Sequence, residues 1–256
     1  MVIIGAGVVG LAVARELAES SKKSVLIIEK ESSFGKGISS RNSEVIHSGI
    51  YYPHDSLKAK YCTRGRELTY DFCEKNHIWY NQCGKLIIAE ENQTDIVEQL
   101  YNRSKENNVP DTRIIDQNEL ISLEPHICGA GALFVGCTGI MSAHEFMAAL
   151  QRISGENEHD YLFMSDVMGI DQIADGYKID IRNPVGDIEH VTAEWVINAG
   201  GLHSDMIAQM LGEEESFPTL RYSKGYYFKL SSNGGVNSII WFIPCRIKNT
   251  DHWEFI

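Results

Sequence analysis

The chain has 256 residues, 43% of them apolar, and a formal net charge of −12 at pH 7. That length is ample for one large domain or two interleaved ones with a real core. The acidic balance, with no basic stripe, argues against a nucleic-acid binder, because neutralising phosphates takes clustered Lys and Arg.

The N-terminal stretch "MVIIGAGVVGLAVARELAE" begins with a β-branched run and then gives Gly5-x-Gly7-x-x-Gly10. A helical pattern follows through Leu11, Ala14, Leu17 and Ala18, and then a second apolar strand, "SVLIIEK", reaching Glu29. Strand, glycine turn, helix, strand and terminal acid together make a βαβ dinucleotide fingerprint. Gly5 permits the tight turn, Gly7 the close approach of backbone to a pyrophosphate, and Gly10 the close packing of helix on strand. The helix N-terminus, with Val9 in its first turn, offers N–H groups and a partial positive charge to phosphates. Glu29, followed by Lys30, is placed to accept hydrogen bonds from ribose hydroxyls. The fingerprint alone does not separate NAD from FAD.

A Ser/Gly/Asn-rich loop, "KESSFGKGISSRNSE", comes next, where a plain NAD domain goes on to another helix and parallel strand. "SLKAKYCTRGRELTYDFCEKN" reads as an amphipathic helix with Leu57, Tyr61, Leu68 and Phe72 on its buried face and its Lys and Arg residues solvated. "IWYNQCGKLIIAE" reads as a strand pair turning near Gly84. A polar helix is expected over 92–107, a strand at "TRIID", a capped helical turn ending at Pro125, strands in "GALFVGCTGIM" and a helix over 144–153. "YLFMSDVMGI" and "YKIDIRN" read as strands with a turn at Asp175-Gly176, and "EWVINAGG" as a buried strand ending in small residues. From Trp241 onward, "WFIPCRIKNTDHWEFI" shows no sheet or helix pattern. The six cysteines form no CxxC pair and no zinc spacing, so scattered free thiols in a reducing compartment and no metal site are expected. The longest apolar run, Met1 to Ala14, is broken by glycine and shorter than the roughly 20 residues of a membrane helix. A chain opening directly on a strand leaves no room for a signal or transit peptide, which predicts a cytoplasmic location.

Taken together, Arg41–Tyr52 ("RNSEVIHSGIYY"), Ser56–Cys62, Gln82–Ala89, Leu123–Pro125, Thr138–Ile140, Asn198–Asp205 and Gly225–Phe228 resemble, in order, the motifs of the L-2-hydroxyglutarate dehydrogenase/oxidase family. That family belongs to the FAD-dependent D-amino-acid oxidase superfamily. Ser142 departs from it, standing where the family usually has Asp.

The resemblance implies an α/β fold, with a discontinuous Rossmann-like FAD-binding domain (1–78 and 143–215) and an inserted, incomplete mixed-sheet substrate domain (79–142 and 216–240). It implies FAD as cofactor and hydride transfer from a 2-hydroxy acid to the flavin, most simply L-2-hydroxyglutarate going to 2-oxoglutarate. Ser39, Ser40, Arg41 and Asn42 would lie along the FAD phosphates and ribityl chain, and His47 and Gly49 close to the isoalloxazine. Gly49 would be glycine because a side chain would strike the ring. His47 is either the base for the hydroxyl proton or a residue that only hydrogen-bonds the flavin or backbone. Tyr51 and Tyr52 read as packing groups. The strand holding Val167 would contact the adenine, and Asn198, Ala199 and Gly200 would close on the ADP half, unless "NAGG" is an ordinary turn. A dicarboxylate needs cations, for which Lys85, Arg221 and Lys224 are candidates, each equally readable as a surface charge. The electron acceptor stays open between a quinone, another acceptor and oxygen, and peripheral contact with an inner membrane is compatible with the resemblance. Two alternatives stand beside this reading: another oxidase of the superfamily acting on an amine or glycerol 3-phosphate, and an inactive or weakly FAD-binding remnant.

The resemblance ends near Ile240 in this reading. There the family has Tyr-Pro-Val-Pro, about six residues, then Leu-Gly-Val/Ile-His. Codons read one base out of phase through 241–256 allow such a segment at that spacing. The expectation is a frame shift near Ile240 followed by an early stop, an incomplete substrate sheet with an open edge, marginal stability and weak FAD binding.

Overall fold

The computed structural model describes residues 1–20, 23–157, 159–212, 219–226 and 235–243. In chain order the elements are β1 (Val2–Ile4), α1 (Val8–Ser20), β2 (Leu26–Ile28), β3 (Val45–Ile46), α2 (Leu57–Lys75), β4 (Tyr80–Asn81), β5 (Lys85–Ala89), α3 (Thr94–Glu106), β6 (Thr112–Asp116), α4 (Gln117–Leu123), β7 (Gly131–Val135) and β8 (Gly139–Met141). Then come α5 (Ala143–Glu156), β9 (Asp160–Leu162), β10 (Asp166–Ile173), β11 (Gly176–Arg182), β12 (Ile188–Ala193), β13 (Val196–Asn198), α6 (Ser204–Gln209) and β14 (Ile239–Phe242).

Contacts divide the chain into two compact units. The first comprises Met1–Ser43 and Ala143–Tyr226; the second comprises Glu44–Ser142 with the described residues of the C-terminal segment. The division falls before β3, where the sequence reading put it at residue 78. The reason is local: α2 anchors its buried residues to the segment after β3 and to the β7–β8 connection, both in the second unit. Residues 219–226 pack with the first unit through the Leu220 N–H on Asp205 (3.0 Å) and the Tyr222 hydroxyl on the Leu202 carbonyl (3.0 Å), where the reading had placed them in the substrate domain.

The first unit is built on a parallel sheet of order β13-β1-β2-β9. A parallel strand covered on both faces reads as an unbroken apolar run, and Val2, Ile3 and Ile4 are all buried. Helices α1 and α5 pack against each other, while an antiparallel sheet, β10-β11-β12, packs Ile170, Ile179 and Ile181 against Val2, Ile4 and Ile28. β12 was not foreseen, its alternation being mostly polar and exposed.

The second unit centres on a mixed sheet of order β14-β5-β7-β6, with β14 parallel to β5 and the other pairings antiparallel. Strand alternation splits β5 between two cores: Ile87 and Ala89 join Ile50, Leu133 and Val135, whereas Leu86 and Ile88 join Leu120 and Ala132. β4 and β5 are not a hairpin, as the sequence suggested. β4 pairs with β8 in a separate small sheet that also holds β3. Helix α2 also buries a different face from the one expected. Ala59, Arg66 and Cys73, spaced seven apart, point inward, while Leu57, Tyr61 and Leu68 are 67%, 64% and 50% exposed. Trp241 and Phe242 continue β14 beside Ile87 and Ile88, and Ile243 is buried, so the strand runs past the residue where the sequence pattern seemed to end. Residues 244–256, which carry most of the anomalous tail, lie outside the described residues, as do Tyr227 and Phe228 of the GxYF motif.

One acid anchors the segment entering β14, alongside the Asn237 side chain on the Leu123 carbonyl. Glu124, 1% exposed at the end of α4, accepts from the Asn237 N–H (2.8 Å) and the Ser238 N–H (2.6 Å) through one carboxylate oxygen. Hydrogen bonds to a charged group contribute about 1.5–3 kcal/mol each. Glu124→Ala should therefore lower unfolding stability by about 2–4 kcal/mol in urea titration, and Glu124→Gln, which keeps an acceptor, by clearly less.

Candidate active site

In the first unit the turn between β1 and α1 works only with glycine at two points. Gly5 has φ +105°, and a Cβ there would lie 2.5 Å from the Ala199 carbonyl oxygen. A Cβ on Gly10 would collide with the carbonyl oxygen of Gly5, so the helix could not pack down on the strand. Gly7 is constrained by the loop instead: its Cβ would stand 3.1 Å from Ser39 Oγ. That hydroxyl accepts from the Val8 N–H (3.0 Å) in the first turn of α1, keeping its own proton as a donor toward an anion at the helix N-terminus. Val9 is 63% exposed in the same turn.

Glu29 lies at the C-terminal end of β2. Its carboxylate accepts from the Ala6 N–H (2.7 Å) and the Glu31 N–H (2.9 Å), which fixes an acid beside the glycine turn. Lys30 Nζ is 2.7 Å from His203 Nε2. Lys30 and Glu31 also line an open cleft of about 410 Å³ with Met164, Asp166, Arg182, Asn183 and Pro184. Past Ser39 the loop folds on itself: Arg41 donates to the Ser40 hydroxyl (3.0 Å) and Asn42 to the Ser39 carbonyl (2.7 Å). Asn198 shapes the turn after β13, accepting from the Gly200 N–H (3.1 Å) and donating to the Ser204 carbonyl (2.7 Å). Ala199 hydrogen-bonds Ile4 through its N–H (2.9 Å). The Val167 side chain is buried in the core of the first unit.

These residues fit the ADP half of a dinucleotide: two glycines that backbone would otherwise fill, a hydroxyl and N–H groups at a helix start, and an acid at the end of the second strand. Arg221 and Lys224, expected near a substrate, are exposed in this same unit, Lys224 Nζ lying 4.9 Å from the Tyr226 ring centroid.

The second unit holds His47, Gly49 and Lys85. The segment between β3 and α2 is irregular, and side chains satisfy its carbonyls. Cys62 Sγ donates to His47 (3.5 Å), Arg66 to Ser48 (3.2 Å), Arg103 to Tyr51 (3.3 Å), and Asn107 to both Gly49 (3.1 Å) and Tyr52 (2.9 Å). Sequence reading missed all four donors. Arg66 had a faint signal, sharing a seven-residue spacing with Ala59 and Cys73; the others had none. Gly49 has φ +92° and a Cβ there would meet Thr63 Cγ2 at 3.1 Å, so the chain's own backbone already requires glycine, without appeal to a flavin ring.

The His47 ring is exposed to solvent, yet enough protein surrounds it that desolvation first, and the charge of Lys85 second, lowers its pKa. Lys85 is only 7% exposed, and burial lowers its pKa to about 8. Its Nζ lies 4.7 Å from the Tyr51 ring centroid and 5.0 Å from that of Trp241. Burial raises the Cys62 thiol, so that sulfur is a weak donor and not a thiolate. Among the described residues no cluster of His, Cys, Asp and Glu could hold a metal ion, and no helix is long and apolar enough to cross a membrane.

A βαβ cradle with this acid and this glycine set defines a dinucleotide-binding α/β protein. The family model described as FAD dependent oxidoreductase matches residues 1–254, running on beyond Ile240. The chain belongs to the FAD-dependent oxidoreductase family, whose cofactor is FAD. The mitochondrial L-2-hydroxyglutarate dehydrogenase of Arabidopsis thaliana is 35% identical over 274 residues, covering 95% of this chain and 56% of the relative. The L-2-hydroxyglutarate dehydrogenase of Escherichia coli K12 is 33% identical, covering 95% of this chain and 57% of the relative. The chain thus spans little more than half the length of the curated relatives it matches. Among solved structures, FAD-bound L-alpha-glycerophosphate oxidase from Mycoplasma pneumoniae superposes with a TM-score of 0.75 at 26% identity, covering 82% of this chain and 56% of that one. Glycine oxidase from Geobacillus kaustophilus shares the fold, with a TM-score of 0.73 at 23% identity, over 82% of this chain and 57% of that one.

Two substitutions probe the two units. Gly10→Ala should push α1 off β1, costing about 1–3 kcal/mol and abolishing FAD retention, read from visible absorbance after desalting. Asn107→Ala leaves two carbonyls without their donor and should cost about 2 kcal/mol or more in denaturant titration, with FAD retention kept.

Proposed function

We propose that this chain serves the oxidation of a 2-hydroxy acid, L-2-hydroxyglutarate to 2-oxoglutarate. The observation that carries the reading is that the second unit sets His47 beside a buried Lys85, in a chain that also has an FAD-type cradle in its first unit and whose relatives bear the name L-2-hydroxyglutarate dehydrogenase. The first unit is the FAD-binding part, with Gly5, Gly7, Val9, Gly10, Glu29, Lys30, Ser39, Ser40, Arg41, Asn42, Asn198, Ala199 and Gly200, and the β10 backbone at Val167, as the residues that would hold the ADP half and the chain beyond it. The second unit handles the substrate. FAD, when bound, supplies the two-electron acceptor for the C2 hydride.

His47 takes the hydroxyl proton. Its lowered pKa keeps the imidazole neutral, and therefore competent as a base, at neutral pH. Lys85 offers a positive charge to a substrate carboxylate. Arg221 and Lys224, exposed in the first unit, support a substrate role less well. The final electron acceptor would be a quinone, another acceptor or oxygen.

The sign of the pH dependence follows. Protonated His47 cannot accept a proton, so cofactor reduction should fall as pH drops through a value below the ordinary imidazole pKa, and stay level across neutrality. His47→Gln should slow anaerobic bleaching of the flavin by L-2-hydroxyglutarate about 10²–10⁴-fold and remove that acid limb, with FAD content kept. A substrate panel separates this reading from the glycerophosphate reading, which the fold likeness to an L-alpha-glycerophosphate oxidase favours. Bleaching by glycerol 3-phosphate or glycine in preference to L-2-hydroxyglutarate rejects the proposal.

A further inference from the structure

Lys85 and Tyr51 each present a donor that the described residues leave unanswered. Strand alternation puts Lys85 on the same face of β5 as Ile87 and Ala89, at the end of an apolar core. Its ammonium therefore sits among apolar atoms and makes no ion pair with any described residue. Isolated buried charges are strongly disfavoured, and proteins pair them. Here the faces of Tyr51 and Trp241, packed edge to face with centroids 4.8 Å apart, give partial compensation through their ring quadrupoles. They supply no counter-charge. The Tyr51 hydroxyl is buried in the same cluster and has no hydrogen-bond partner. Leaving such a donor unmet is costly in a folded protein and calls for an explanation. The backbone of Tyr51 is meanwhile held, its carbonyl taking a bond from Arg103, and its ring packs against Trp241 and the apolar cluster beneath it.

We infer that Lys85 Nζ and Tyr51 Oη form a two-donor site for one carboxylate, walled by the rings of Tyr51 and Trp241. A carboxylate has two oxygens for the two donors and brings the missing negative charge. Inorganic phosphate, with four oxygens and as the dianion a larger charge, would leave acceptors unmet against aromatic walls. The inference rests on the hydroxy-acid reading for the identity of its ligand and adds Tyr51 as a residue that determines specificity. Burial holds Lys85 at a pKa of about 8, so the empty site loses its charge above that pH and a bound carboxylate raises the value again.

The test uses the whole chain with FAD supplied, and the probes are glutarate, 1,5-pentanediol of the same length, and inorganic phosphate. Calorimetry at pH 7 should show glutarate binding with the diol and phosphate at least tenfold weaker. Glutarate affinity should drop about tenfold between pH 7 and pH 9. Tyr51→Phe should weaken glutarate about tenfold and Lys85→Met more, with thermal unfolding checked for both. In the unaltered chain, glutarate but not the diol should shield Lys85 from reductive methylation, read by mass spectrometry, which keeps the test valid if a variant fails to fold. Equal binding of glutarate and phosphate, or undiminished glutarate binding in both folded variants, overturns the site. If the chain oxidises L-2-hydroxyglutarate while both variants keep the original KM, the site falls and the functional reading stands. If glutarate shields Lys85 but the flavin is reduced only by a different substrate class, the functional reading falls and the site stands.

Discussion

The second unit depends on how an irregular segment is kept in place without a partner strand. Residues 47–52 leave β3 and enter a turn, and a buried carbonyl there needs a donor or costs free energy comparable to a lost hydrogen bond. Side chains of α2 and α3, with Asn107 just beyond, provide the donors for His47, Ser48, Gly49, Tyr51 and Tyr52. This explains why α2 turns a guanidinium inward. Arg66 is 6% exposed and answers the Ser48 carbonyl, with Cys137 Sγ at 3.6 Å as a second contact. Once these carbonyls are fixed on one side, the direction of the His47 and Tyr51 side chains is set by the backbone.

The first unit solves the opposite problem. Its strands and helices satisfy their own backbone, and the constraint is steric. The approach of α1 to β1 is close enough that Gly10 has no room for a methyl group, and the β13 turn comes close enough to require glycine at position 5. Close packing there leaves the first N–H groups of α1 directed at a ligand position, where Ser39 answers one of them. Glu29 completes the arrangement by accepting from the turn itself, so the acid is positioned by the fold.

What could be read from the sequence follows the reach of each signal. The β1-α1-β2 unit was legible because its glycines, apolar runs and terminal acid are local and each has one physical reason. The capped turn at Asp116 was legible for the same cause: its carboxylate accepts from the Glu119 N–H (2.9 Å). The buried face of α2 was not, because hydrophobicity marks Leu57, Tyr61 and Leu68, whereas demand for hydrogen-bond donors decided the packing. β4 and β5 looked like a hairpin because the turn at Gly84 is real, with φ +74°, but the strands on either side pair with different partners. Lys85 was named from its charge alone. Its setting between Tyr51 and Trp241 depends on strand order, since β14 lies beside β5 only after about 150 intervening residues have folded back.

The coupling of His47 and Lys85 follows from these placements. Each is a base when neutral and a cation when protonated, and a charge on one disfavours a charge on the other. Lys85, held at about 8, is mostly charged at neutral pH and contributes to keeping His47 neutral. On the proposed reading, a carboxylate arriving at Lys85 offsets that charge. The second cause of the lowered His47 pKa then weakens while desolvation, the larger one, persists. His47 becomes a somewhat stronger base when an anion is bound than when the site is empty. Substrate recognition at the buried ammonium would thus offset the charge that holds His47 down, and restore basicity to the group that takes the proton.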